Sequence, residues 1–420
     1  MYVPFKYDLG GRVGDTSRAL EVLTELCGGV EVDHAVARSW NLSYLANHPA
    51  VLRCPLSGGT VEWAGAEWNY ERTLRLYLDL GVLSIDYGYE VRGGKANILA
   101  FYDGLVGWKN SDYLPYLRQF GVTFDGLAIG AVPSSAVPTQ DLHAGLVSTL
   151  RAGLQPYITP RPELYVFHDF RICFIDRGSA LDDRTVQCLL WLTTSTAVDH
   201  AVEGVARDEY GPVEILSTGW STVLRTKSTA AGPEITTTLS LLNLIHAQWF
   251  LCQAWTSIYD KDFVDEDGDV AVRFGPHELT RSQLLLARDL TEVGNLDLML
   301  KDPNLLRAAR TFERCFGVME HRTVAERRLR LLENHSRALS QFVNERDLRR
   351  LQILFSISAA GTVAALIPAL AVAQGALLLT FLTLATAAVL WLGFAINLAA
   401  VLRRFGARRN RRPRRLLGRR

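Results

Sequence analysis

Through the first half of the chain, apolar residues come in short runs that alternate with polar ones and are closed by Gly, Pro or Asp. Residues 75–91 (RLYLDLGVLSIDYGYEV), 96–104, 124–132, 163–176 and 213–226 have the β-branched and aromatic content of strands. The stretch TSRALEVLTELCG, 16–28, has the three-four spacing of an amphipathic helix. No repeat unit is visible, which argues against a solenoid. From about Ile235 the pattern turns helical. Residues 235–259 carry no charge, but Asn243, His246, Gln248 and Gln253 would each need a partner in lipid, so a buried helix is expected there rather than a span. Between Pro303 and Arg350 the only glycine is Gly317, and Leu329, Leu332, Ser336, Leu339 and Val343 form a stripe of coiled-coil type. That stripe packs either on the chain's own body or on identical helices of other subunits.

Near the end the apolar positions merge. Residues 353–373 and 376–402 are uncharged and meet the need for about 20 residues to cross about 30 Å of hydrocarbon. The expected fold class is therefore an α+β cytosolic domain (1–234), a helical region with a stalk helix (235–350), a two-helix transmembrane hairpin (351–402) and a basic cytosolic tail (403–420). Pro368 is expected to bend the first span.

Charge sets the orientation. The net charge of +1 hides ten arginines and no acid in 403–420, which leaves 35 basic and 44 acidic side chains in the remainder. With Arg346, Arg349 and Arg350 before the first span and the tail after the second, both termini are expected on the cytoplasmic side of the cell membrane. No apolar leader stands at the start. The tail is read as a contact for anionic lipid rather than for nucleic acid.

Candidate chemistry is sparse. Cys27, Cys54, Cys173, Cys188, Cys252 and Cys315 are scattered without metal-ligand or disulfide spacing, so free thiols in a reducing compartment are expected. In 260–275 the residues Asp265, Asp267 and Asp269 offer a loose divalent-ion site or a solvated turn. An EF-hand register fails, because counting from Asp265 puts Val270 at position 6 and Pro276 at position 12. Phosphate-binding, nucleophile-elbow and zinc-protease motifs are missing, and no histidine has a catalytic arrangement, so neither an enzyme nor a cofactor is expected.

The order of a cytosolic body, a long helix running into a span, a turn at Ala373, Gln374 and Gly375, a second span and a basic tail resembles the CorA-like magnesium transporters. The resemblance implies a homo-oligomer, a pentamer in that family, whose first span lines a pore. The family's Gly-Met-Asn signature at the turn is missing, since Met1, Met299 and Met319 all lie elsewhere. On the first span Ser358, Gly361, Thr362, Ala365 and Ala369 form a face of small or weakly polar residues, suited to lining a pore or to close helix packing. Gln374 is the candidate dipole at the entrance. The expected function is a cation channel or transporter of unknown selectivity, with a divalent cation as substrate or regulator. The alternative is a membrane-tethered sensor or interaction protein that uses the hairpin only as an anchor.

Overall fold

The computed structural model describes residues 1–33, 51–63, 66–91, 123–124, 127–128, 143–161, 164–165, 169–178, 181–191, 204–219, 221–228, 230–262, 276–294, 296, 300–373, 381, 384–388 and 391. Its strands are β1 (Tyr2–Asp8), β2 (Gly11–Val13), β3 (Glu31–Val32), β4 (Val51–Trp63), β5 (Ala66–Tyr77), β6 (Val82–Val91), β7 (Thr123–Phe124), β8 (Leu127–Ala128), β9 (Ile158–Pro160), β10 (Asp169–Phe170), β11 (Ile172–Arg177), β12 (Ala206–Tyr210), β13 (Val213–Ser217) and β14 (Ser221–Thr226). Its helices are α1 (Thr16–Cys27), α2 (Ala144–Leu154), α3 (Asp183–Trp191), α4 (Gly232–Asp262), α5 (Pro276–Thr291), α6 (Pro303–Phe316) and α7 (Val318–Ala373). Two compact units result, Met1–His335 and Ser336–Arg420.

In the first unit one large sheet has the order β12-β13-β14-β11-β1-β6-β5-β4-β3, with β10 also paired to β1. Pairing is antiparallel along it except between β11 and β14. Run 75–91 thus becomes the end of β5, a turn and β6, and run 213–226 becomes the β13–β14 hairpin. Run 96–104 lies outside the described residues.

Strand β1 is buried at every position, so both of its faces are covered. On one face Val3, Phe5 and Tyr7 join a core completed by Ala19 and Leu23 of α1, Leu150 and Leu154 of α2, and Leu189 and Leu190 of α3. The other face, carrying Tyr2, Lys6 and Asp8, turns toward α4. Helix ends are marked locally: Asp15 caps α1 through the Arg18 amide, and Asp302 caps α6 at 2.9 Å from the Asn304 amide. Gly317, at φ 65°, closes α6 before α7 begins.

The base of α7 packs on its own body. Leu332 is buried with Val318 and Ala325, and Arg328 donates to the Thr256 carbonyl of α4 at 2.6 Å. For that part of the stripe the cover is the chain itself. Leu329 is half-buried there, and in the second unit Leu339 and Val343 are half-buried while Ser336 is buried.

The transmembrane hairpin is corrected by the structure. Among the described residues no helix is long and apolar enough to cross a membrane. Helix α7 enters its apolar stretch directly from Arg346, Asp347, Arg349 and Arg350, and Gln352, Ser356, Ser358, Gly361 and Thr362 interrupt that stretch. The α+β body with its large mixed sheet stands, whereas among the described residues the transmembrane hairpin, and the cell-membrane placement that rested on it, do not. Most of 376–402, the turn at Gln374 and the arginine tail lie outside the described residues.

The β5–β6 turn depends on glycine. Gly81 has φ +60°, and a Cβ there would sit 2.1 Å from the Gly11 carbonyl oxygen. The Gly81 carbonyl also accepts from the Leu9 amide at 3.0 Å, tying the turn to the end of β1. Gly81→Ala is therefore expected to destabilise the body by about 2 kcal/mol or more, read as a fall in the urea midpoint. An unchanged midpoint would show that the backbone yields there.

Candidate functional site

The α4 face of the sheet is unusual because charge runs across it. In antiparallel pairing, directly opposed residues share a face. Arg53 opposes Arg75, Arg75 opposes Ser84, and Ser84 opposes Lys6, so β4, β5, β6 and β1 place three cations in one row. One row further along the same face, Thr73 opposes Asp86.

Lys6 is fully buried, and its Nζ donates to Ser84 Oγ at 2.6 Å and to Asn243 Oδ1 of α4 at 2.8 Å. It also lies 5.3 Å from the centre of the Tyr77 ring. Ser84 donates to Asp86, and Asp86 pairs with Arg75. Arg75 donates to Tyr2 OH at 2.6 Å and to Asp33 Oδ2 at 3.1 Å, and Ser240 of α4 donates to the same Asp33 oxygen at 3.1 Å. Asn243 completes the circuit by donating its amide to Tyr2 OH. Removing an ion from water costs several kcal/mol, which only close pairing offsets, so these groups fix how α4 docks on the sheet.

A second node anchors the neighbouring region. Arg161, buried, pairs with Asp8 and with Asp289 of α5 at 3.0 Å, while Trp255 of α4 donates to the same Asp289 carboxylate at 2.9 Å. On the opposite face of the sheet, His143 lies between two phenols, Tyr7 and Tyr87, the latter 2.9 Å from Nε2.

Beside the charged row opens a cleft of about 680 Å³, within the range of roughly 300–1,000 Å³ usual for small-ligand sites. Arg75, Asp86 and Gly88 form its floor, Arg53 and Thr73 one side, and Leu239 of α4 a wall. Glu71, Glu90 and Arg177 stand exposed at its mouth. A Cβ added to Gly88 would meet nothing within 4 Å, so the strand leaves open space over that position. A broader concavity of about 1110 Å³ lies between β12–β14 and α6. There Arg225 and Arg307 are already paired, to Asp176 at 3.3 Å and to Asp208 at 2.7 Å.

Lys6 and Ser84 have the composition of a serine–lysine nucleophile pair, yet both are fully buried and the hydroxyl proton is committed to Asp86. Among the described residues no cluster of three His, Cys, Asp or Glu side chains could hold a metal. The six cysteines are free.

Of the residues singled out from sequence, Ser358, Gly361, Thr362 and Ala365 lie exposed on α7, where Thr362 donates to the Ser358 carbonyl at 2.8 Å. Asp265, Asp267, Asp269 and Gln374 lie outside the described residues. The structure brings none of the former group to the cleft. The sequence patterning did not single out Lys6, Arg53, Arg75 or Asp86; the available signal was charge set among apolar residues, Lys6 in YVPFKYD, Arg53 in VLRCPL, and Arg75 and Asp86 in RLYLDLGVLSIDYGYEV. No family model, curated protein or solved structure matches this chain.

Burial pushes the Tyr2 phenol up to about 12, against the pull of Arg75. Burial likewise pushes the Cys173 and Cys252 thiols up to about 12. A pKa raised by folding contributes stability that is complete below the ordinary value, 9.0 for the thiols and 10.0 for the phenol, and is lost as pH rises toward 12. Thermal midpoints followed by circular dichroism are expected to fall between pH 9 and 12. Tyr2→Phe should flatten the part above pH 10; an identical profile for that variant would remove the phenol from the account.

Proposed function

We propose that the chain is a non-catalytic sensor or interaction protein whose α+β body takes a small polar ligand into the cleft on the α4 face. The observation that supports this is the cleft floor, where Arg75 and Asp86 are held in fixed ion pairs while the one nucleophile pair nearby is sealed beneath them. Groups preorganised in this way favour binding, since little side-chain entropy remains to be lost. Helix α4 both walls the cleft with Leu239 and grips the charged row with Ser240 and Asn243. A ligand that shifts Arg75 therefore acts on α4, which also holds Arg328 at the base of α7. The cation-channel expectation requires a crossing, and the described residues supply none.

The interaction half of the reading is favoured by α7. In the second unit Leu351, Ile353, Leu354 and Phe355 are exposed, the last at 72%. At about 100° per residue these positions point to more than one side of the helix, so a single groove does not cover them. Surrounding helices do, and further copies of this chain supply them.

Two measurements follow. Saturation-transfer NMR of the full chain with a mixture of small polar fragments is expected to show binding that Gly88→Leu abolishes by filling the cleft; fragments that bind the variant equally well would place the site elsewhere. In sedimentation equilibrium the full chain is expected at a multiple of its monomer mass, reduced by the double change Leu351→Asp and Phe355→Asp. A parent chain that sediments as a monomer would exclude self-association.

A further inference from the structure

One side chain that lines the cleft stands outside the charged network beside it. The row contains three cations, Lys6, Arg53 and Arg75, and among the described residues the two carboxylates bonded to a member of it, Asp33 and Asp86, are both bonded to Arg75. Arg53 has no hydrogen-bond or ion-pair partner among the described residues, and its Nε is buried. Glu31 opposes it across β3 and β4 but is exposed and makes no ion pair with it. Like charges placed directly opposite on neighbouring strands repel, and a buried donor without an acceptor carries its full desolvation cost. Among the described residues, folding thus leaves beside Arg75 a half-buried cation that lines the cleft and is paired to no carboxylate.

Building on the cleft reading, we propose that Arg53 is the anchoring residue for the carboxylate group of a small ligand. A guanidinium offers a planar fork of donors, and a carboxylate accepts two of them at once. The second half of the specificity lies at the mouth. Glu71 and Glu90 stand there exposed with a single cation, Arg177, so the mouth is net negative and a singly charged acid enters more readily than a doubly charged phosphate. Thr73, on the same face of β5, adds a hydroxyl that both donates and accepts beside the floor. The ligand class is a compact monocarboxylate whose uncharged or cationic remainder lies over Gly88.

The test uses the full chain and three probes: sodium benzoate, the neutral isostere benzamide, and inorganic phosphate. Benzoate is expected to raise the thermal midpoint and to shift one arginine Nε–Hε NMR signal, the one missing from Arg53→Gln, while benzamide and phosphate do neither. Arg53→Gln should weaken benzoate at least about tenfold, as expected for loss of a charge-assisted contact, and Arg53→Lys should retain part of the affinity. Without ligand, Arg53→Gln should melt no lower than the parent, because it removes an uncompensated charge. Benzoate acting equally on Arg53→Gln, or phosphate binding more tightly than benzoate, would overturn the inference. Neutral fragments lost in Gly88→Leu, together with no benzoate binding, would overturn it while leaving the cleft reading intact. If nothing binds in a Gly88-dependent way, both fall.

Discussion

Lys6 and Arg75 are buried between a sheet and a helix, and the first unit is arranged so that neither stands alone. Two cations in an apolar layer are tolerable only if carboxylates and neutral dipoles reach them from several elements. Here those partners come from β6, from the residue after β3, and from α4, which are far apart in sequence. A helix that slid along the sheet by one turn would lose the Asn243 and Ser240 contacts together. Hydrophobic burial drives α4 onto the sheet, and the charged row selects the position at which it settles.

The two faces of the sheet therefore differ in kind. Toward α1, α2 and α3 the contacts are mainly aliphatic and aromatic, with His143 set between the Tyr7 and Tyr87 phenols. Toward α4 and α5 they are directional, with Arg161 repeating on Asp8 and Asp289 what Arg75 does on Asp86 and Asp33. Directional contacts keep the floor of the cleft rigid. They also explain how one position, Arg53, is left without a partner: strand register fixes its place in the row, and no acid on the described elements reaches it.

Helix α7 joins two kinds of surface in one element. Its base is covered by the body, with Leu332 buried, whereas beyond Ser336 leucines, isoleucines and phenylalanines face outward. Its regular backbone carries a continuous helix across that change, because no proline or glycine interrupts it between Val318 and Arg350.

How much of this was legible depends on how local the signal is. Helix α1 follows from the spacing of its apolar residues, and the strand character of 75–91 and 213–226 follows from their β-branched and aromatic content, whereas the Asp15 cap and the division of each run into two strands of a hairpin came from the structure. The apolar character of 235–259, with its buried Asn243, His246 and Gln248, was also readable as a helix of the body. Hydropathy along 353–402 suggested two spans, whereas among the described residues no helix is long and apolar enough to cross a membrane, and most of 376–402 lies outside them. The cleft was invisible for a different reason. A strand covered on both faces, such as β1, shows no apolar–polar alternation, so Lys6 reads as an isolated charge. Only cross-strand register sets Arg53 beside Arg75 and Ser84 beside Lys6, and register is decided by long-range pairing and by the docking of α4. The sequence by itself determined which regions are strand-rich and which helical, and the tertiary structure decided where the strands divide and which charges meet, because opposition across a sheet joins residues that no local pattern connects.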